Sequence, residues 1–424
     1  MERQIKNFDI LATTPNRTMA LELVEAGLAA INTEKVVLSS VSLEENILSV
    51  QGQKFNLSKF KRIKIIGFGK SSPEAALALE KILGERISTG AVIGLKKTSS
   101  KYIKTFAGTH PKPSRENILA GEKIYEIIKD SKADDLVIVL VSGGGSALLC
   151  YPENEREQGI KLYDSFLKTG KTIAEMNTVR KHLSLLKGGG LAKLAYPATI
   201  IGLIFSDIPG DIFENVASGP TYKDKTTIAD AENIIRDNNL GEFDLIETPK
   251  EDKYFAKVHN FVLVSNKTAV EAMARKAQEF NLEASVVSTE LYDETEKAIE
   301  KIFFLHKNNT VVLAAGEPKI EIKDKSGKGG RNLHMGLEAL KKIKKTGEDF
   351  VFISFASDGM DNSDVAGVIV DKTTIEKVEK LNLDVEDYIN RFDSYSFFKK
   401  TDDMIMTGPT GANVSDLMIL LTKK

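Results

Sequence analysis

Apolar residues along the chain fall into two patterns. Short unbroken runs, rich in Val, Ile and Leu, occupy 63–66, 91–95, 136–141, 199–205, 261–264, 310–314, 350–355 and 417–421. Runs of this length without polar alternation predict strands buried on both faces, as in a parallel sheet. Between them, apolar residues recur at three- and four-residue intervals. That spacing predicts helices over 17–31, 73–83, 118–128, 162–169, 177–186, 269–280 and 333–341. The stretch 36–50 is more alternating and predicts one or two short strands. Strand and helix in regular alternation predict an α/β fold, with two α/β domains built on mostly parallel, Rossmann-like sheets.

Polar, glycine-rich loops follow the apolar runs directly, after Ile66, Val141, Phe205, Val264, Ala314 and Phe355. Open α/β sheets bind ligands outside the carboxyl ends of their strands. Loops of this kind in both halves predict one interdomain cleft. The length of 424 residues exceeds what a single core usually serves. The charged, proline-containing stretch 248–257 is the expected boundary, giving domains 1–250 and 251–424.

A net charge of −2 offers no electrostatic footprint for nucleic acid. The lone Cys150 excludes an internal disulfide framework and a thiolate zinc site, and reads as a packed, inert thiol. No apolar run is long enough to span a bilayer, and the first ten residues lack the apolar core of a signal peptide. A cytoplasmic protein is the simplest expectation, and a homodimer is left open.

Candidate chemistry gathers at the strand ends. Ser142, Gly143, Gly144, Gly145 and Ser146 interrupt the chain between the strand 136–141 and a short apolar stretch. Such a loop presents backbone N–H groups to an anion, with Ser146 expected as the helix cap. Lys70 follows Gly67 and Gly69 at another strand end, where its ammonium would neutralise a phosphate. This is not a Walker A motif, because Lys64 stands where the first glycine is needed. GFGKSS also lacks the third glycine of the dinucleotide fingerprint. Asp207 and Asp211 flank one turn, Asp358 and Asp361 another. Carboxylates there suit Mg²⁺ or a base for a hydroxyl proton. Turn chemistry alone explains Asp211 and Asp361, whereas function is expected of Asp207 and Asp358. Arg331 at a helix start, and Arg180, are candidates for a carboxylate or phosphate. His110 and His182 lack a visible carboxylate partner and read as structural. The triplet Gly188-Gly189-Gly190 marks a break in a helical pattern or a close approach.

VSGGGSALL, NTVRKHLSLLKGGGLA, SDIPGD with VASGPT, GKGGRN, ASDGMD and TGPTGANVSDL occur in this order from about Phe68 to the C-terminus. Together they resemble the glycerate 2-kinase family, the class II glycerate kinases. The resemblance implies ATP-dependent phosphorylation of D-glycerate with Mg²⁺ or another divalent metal, in a cleft between two α/β domains. It implies catalytic roles for Lys70, Asp207 and Arg331. Nucleotide contacts are implied at the loop Ser142–Ser146 and at Lys187, Gly188 and Gly189, and metal contacts at Asp207 and Asp358. The chain departs from the family pattern at Ala315, Met360, Asn362 and Leu333. Phosphorylation at C2 is expected, with 3-phosphoglycerate or a related hydroxy acid as the alternative. An isomerase of phosphosugars would need phosphate cradles without metal carboxylates. A non-catalytic sugar-phosphate sensor would add an effector module, and no basic cluster of that kind is present.

Overall fold

The run around Leu136–Val141 is the middle of a six-stranded sheet. Its strand, Asp135–Ser142, is buried along its whole length. It pairs in parallel with Arg62–Phe68 on one side and Thr199–Phe205 on the other. Ile87–Gly94 and Lys104–Ala107 extend the parallel array, and Val258–Val264 closes the opposite edge. Helices Ser72–Leu83 and Arg115–Ile128 pack on this sheet. Two-sided burial explains why these strands carry no polar alternation. The computed structural model describes residues 3–169, 173–208, 210, 212–322 and 327–423.

The chain forms two units, Thr33–Leu263 and Met1–Asn32 joined with Val264–Lys424. The expected division at 250 is therefore displaced, and the first residues change sides. The segment near 250 is tied to the first unit: Thr248 Oγ1 donates to Asp224 Oδ2 at 3.1 Å. The strand expected to open the second domain is the edge of the first sheet. Helix Pro15–Ala30, capped by Thr14, packs on Asn266–Glu279 of the second unit. The stretch 36–50 begins as a helix, Thr33–Ser40, and only then forms the antiparallel pair Val41–Glu44 and Ile47–Val50.

The second unit's sheet has the order Glu283–Leu291, Thr310–Gly316, Asp416–Thr422, Phe350–Ala356, Gly367–Val370, Met404–Ile405. Only the first pair is parallel; the other four are antiparallel. The expectation of a mostly parallel sheet holds for the first unit and fails here. Asp416–Thr422 lies between two strands and is buried throughout. An apolar run reports burial on both faces and carries no information about strand direction. Among the described residues, no helix is long and apolar enough to cross a membrane.

Candidate functional site

In the first unit, the loops after Arg62–Phe68 and Asp135–Ser142 are stitched together. Lys70 N donates to Gly143 O at 2.8 Å. Ser142 is fully buried, and its Oγ accepts from Ser71 N at 3.1 Å and meets Ser72 Oγ at 3.1 Å. Ser142 thus braces the loop and is not placed to face a ligand. Gly144 has φ +77°, which a side chain disfavours, and its carbonyl accepts from Ala147 N and Leu148 N. Gly144, not Ser146, caps the turn Gly145–Leu148. Ser146 Oγ instead meets Ser218 Oγ at 2.9 Å. Ser218 Oγ and Arg180 Nη1 both donate to Asn177 Oδ1, at 3.3 and 3.2 Å.

Around this loop stand four polar side chains. A methyl at Gly144 would lie 3.4 Å from Lys70 Cγ and 3.2 Å from His110 Cδ2. One at Gly143 would overlap the Asp207 carboxylate. Burial lowers Arg180 to about 10, still cationic near neutrality. Loss of hydration, then Lys70, then Arg180 bring His110 down to about 4, so its imidazole is neutral. The loop, Lys70 and Asp207 are together as the sequence anticipates; His110 joins them although it read as structural. Asp211 lies outside the described residues.

Three expected nucleotide contacts are placed elsewhere. Lys187 is fully buried; its Nζ donates to Leu149 O at 2.6 Å and pairs closely with Glu155. Gly188 N and Gly189 N donate to Ser218 O and Gly219 O, at 2.9 and 2.8 Å, so neither N–H is available to a phosphate. The expected helix 177–186 ends early, at Lys181. His182 is buried, with Nδ1 2.9 Å from Thr178 O, and Nε2 lies 3.4 Å from Glu247 Oε1, a carboxylate partner the sequence did not reveal. Burial pushes the Cys150 thiol up, in keeping with an inert side chain.

The second unit holds a separate cluster. Arg331 opens the helix Arg331–Thr346. Its Nε donates to Asp416 Oδ2 at 2.9 Å, and Nη1 lies 3.4 Å from Glu317 Oε2. Burial drives the Asp416 carboxyl up to about 7 despite Arg331. Asp361 accepts from Asn332 N at 3.1 Å and Leu333 N at 2.9 Å, so it caps the start of a helix distant in sequence and does not serve its own turn as expected. Asp358 Oδ1 accepts from Met360 N at 3.0 Å, closing its own turn. Asp416 and Glu317 were not singled out in sequence. The signal for Asp416 was an acid directly before the apolar run 417–421.

The family model described as Domain of unknown function (DUF4147) matches residues 19–245, and that of the MOFRL family matches 310–416. The glycerate 2-kinase of Pyrococcus horikoshii is 35% identical, over 96% of this chain and 97% of its own. The chain belongs to the glycerate 2-kinase family. The crystal structure of a glycerate kinase from Thermotoga maritima resembles it with a TM-score of 0.82 at 28% identity, covering 95% of this chain and 98% of that one. A relative from Agrobacterium vitis, 32% identical over 85% of this chain and 99% of its own, is named provisionally as a hydroxypyruvate reductase. As a glycerate 2-kinase family member, the chain keeps a glycine loop without the dinucleotide fingerprint that hydride transfer from a nicotinamide would call for.

Proposed function

We propose that the protein is an ATP-dependent glycerate kinase that phosphorylates the C2 hydroxyl of D-glycerate, giving 2-phospho-D-glycerate and ADP. The observation that carries this reading is the grouping of Lys70, Asp207 and the loop around Gly144 in a chain of this family. Phosphoryl transfer needs positioning and charge neutralisation more than covalent chemistry. Lys70 neutralises phosphate oxygens as a point charge. Asp207 receives the hydroxyl proton as the alkoxyl oxygen bonds to the γ-phosphorus and the bond to the β-phosphate oxygen breaks. Arg331, fixed by Asp416, offers its remaining N–H groups to a carboxylate or phosphate.

A divalent metal such as Mg²⁺ fits the donor chemistry. Among the described residues, no group of three or more His, Cys, Asp or Glu could hold one. Mg²⁺ is commonly held by one or two carboxylates together with phosphate oxygens and water. Asp207 is the carboxylate at the glycine loop, and Asp358 is the candidate in the other unit. Such a metal would supply charge neutralisation on the phosphates.

C3 carries the less crowded hydroxyl, so intrinsic reactivity favours 3-phosphoglycerate. Fixing the carboxylate reverses that preference, because C2 is its direct neighbour while C3 can rotate. Orientation of this kind is worth up to ~7–11 kcal/mol. The test supplies ATP, Mg²⁺, D-glycerate and enolase without phosphoglycerate mutase. Enolase accepts only the 2-phosphate, so phosphoenolpyruvate should form at once. ADP release with phosphoenolpyruvate appearing only after mutase is added would assign the acceptor to C3.

A further inference from the structure

His110 lies on a loop that one buried amide holds against the glycine loop. Asn117 is fully buried. Its Oδ1 accepts from Thr109 N and Ser114 N at 3.0 Å each and from Ser114 Oγ at 2.8 Å. Its Nδ2 donates to Thr109 O at 3.0 Å and to Ala147 O at 2.9 Å. Ala147 belongs to the turn that follows Gly144. Asn117 therefore fixes the residue before His110 to the backbone that closes the glycine loop. The Cδ2–Nε2 edge of the imidazole faces that loop: a methyl at Gly144 would lie 3.2 Å from Cδ2 and 3.6 Å from Nε2.

Two cations act on this imidazole, and a carboxylate stands one residue along the glycine loop. Lys70 comes from the loop after Arg62–Phe68, Arg180 from helix Ile173–Lys181, and Asp207 stands at the neighbouring Gly143. The glycine loop itself contributes no charge. Loss of hydration first, and then these two cations, disfavour the imidazolium, so the unliganded imidazole carries a single N–H.

We propose that His110 contacts the nucleotide phosphates at the glycine loop, donating a hydrogen bond from Nε2. The inference rests on the reading of that loop as the phosphate site. A phosphate bound there offsets the charge of Lys70 and Arg180. The imidazole then holds a proton more readily than in the free protein.

The test compares wild type with His110→Ala, His110→Gln and Lys70→Ala, each checked for folding by circular dichroism. His110 lies on a loop outside the hydrophobic core, so these changes leave the core intact. Calorimetry measures ATP binding, and steady-state kinetics separates the Michaelis constants of ATP and glycerate. His110→Ala should weaken ATP binding about tenfold or more, the worth of a hydrogen bond to a charged group. His110→Gln restores the donor and should recover most of that loss. The glycerate constant should stay within about twofold. In wild type, imidazole ¹⁵N resonances should show the His110 titration moving up by about one unit or more when a non-hydrolysable ATP analogue binds. Unchanged ATP affinity in His110→Ala, with affinity lost in Lys70→Ala, would overturn the role of His110 and leave the loop reading standing. Unchanged affinity in both variants would overturn the loop reading and this inference with it. A loss in His110→Ala that Gln does not recover, with no shift of the His110 titration, would mark a packing role and also overturn it.

Discussion

Two carboxylates of different burial hold Arg331, and this sets how its grip responds to pH. Asp416 is buried and titrates near about 7, whereas Glu317 is half exposed. Asp416 also faces Asp361, whose like charge works in the same direction as burial. Above about pH 7 the Asp416 carboxylate is ionised and anchors Nε; below it the anchor is a neutral acid. With Arg331 binding an anion as proposed, the Michaelis constant for that anion should rise as pH falls from about 8 to about 6, and Asp416→Asn should flatten that dependence. Stability moves the other way. An ordinary aspartate titrates near ~3.9, so the folded state holds this proton more tightly than the unfolded chain. Its stabilising contribution is complete below about pH 4 and is lost as pH rises through about 7. The opposite slopes separate positioning from structure, and equal pH profiles in wild type and Asp416→Asn would refute the anchor. Arg331→Lys keeps the charge but cannot reach Asp416 and Glu317 with a two-pronged head. Turnover or the Michaelis constant should worsen by about tenfold or more. Unchanged kinetics would transfer the anion-binding role to Arg180.

At the scale of elements, the first site depends on two strand-end loops held together by Ser142 and by the Lys70 N to Gly143 O hydrogen bond. Gly143 is where Asp207 approaches most closely. Gly143→Ala should push the Asp207 carboxylate aside and lower turnover by about 10²-fold, the usual effect of a small misplacement. Circular dichroism should remain native, because the backbone there needs no positive φ. Near-normal turnover in a folded Gly143→Ala protein would show that Asp207 is not held at the loop for catalysis. The strand ends, the glycine loop, Lys70 and Asp207 were legible in sequence because each follows an apolar run directly. Lys187, Gly188 and Gly189 misled for a physical reason. A glycine triplet marks close backbone approach, and here the approaching group is the protein's own Ser218–Gly219. His110 read as structural because the groups beside it, Lys70 and Arg180, are distant in sequence. Strand direction in the second sheet was hidden because burial alone shapes an apolar run.

At the scale of the molecule, the N-terminal 32 residues belong with the C-terminal unit, and one buried charge network shows how. Periodicity reveals that 17–31 has an apolar face but not which sheet covers it. Arg17 is fully buried. Its Nε and Nη2 grip both oxygens of Asp371 at 2.7 and 2.8 Å, and Nη1 donates to Asp403 Oδ1 at 2.9 Å. Nη2 also donates to Thr374 Oγ1 at 2.9 Å. Asp371 in turn caps the helix Lys372–Lys380 through Thr374 N at 3.1 Å. Arg17→Leu leaves Asp371 buried without this cation, and Asp403 with Lys377 as its remaining cationic partner at 2.8 Å. Removing one partner from such a network costs about 3–5 kcal/mol. Urea unfolding at neutral pH should show that loss, with Arg17→Lys falling between. The pH dependence has a definite sign. Hydrogen bonds and the charge of Arg17 outweigh burial and hold the Asp371 carboxyl below its ordinary value. The contribution is therefore present above about pH 4 and is lost as pH falls through the lower folded value. The gap between wild type and Arg17→Leu should narrow on acidification below about pH 4. A variant within about 1 kcal/mol of wild type at pH 7 would show that helix Pro15–Ala30 is held by its apolar face alone.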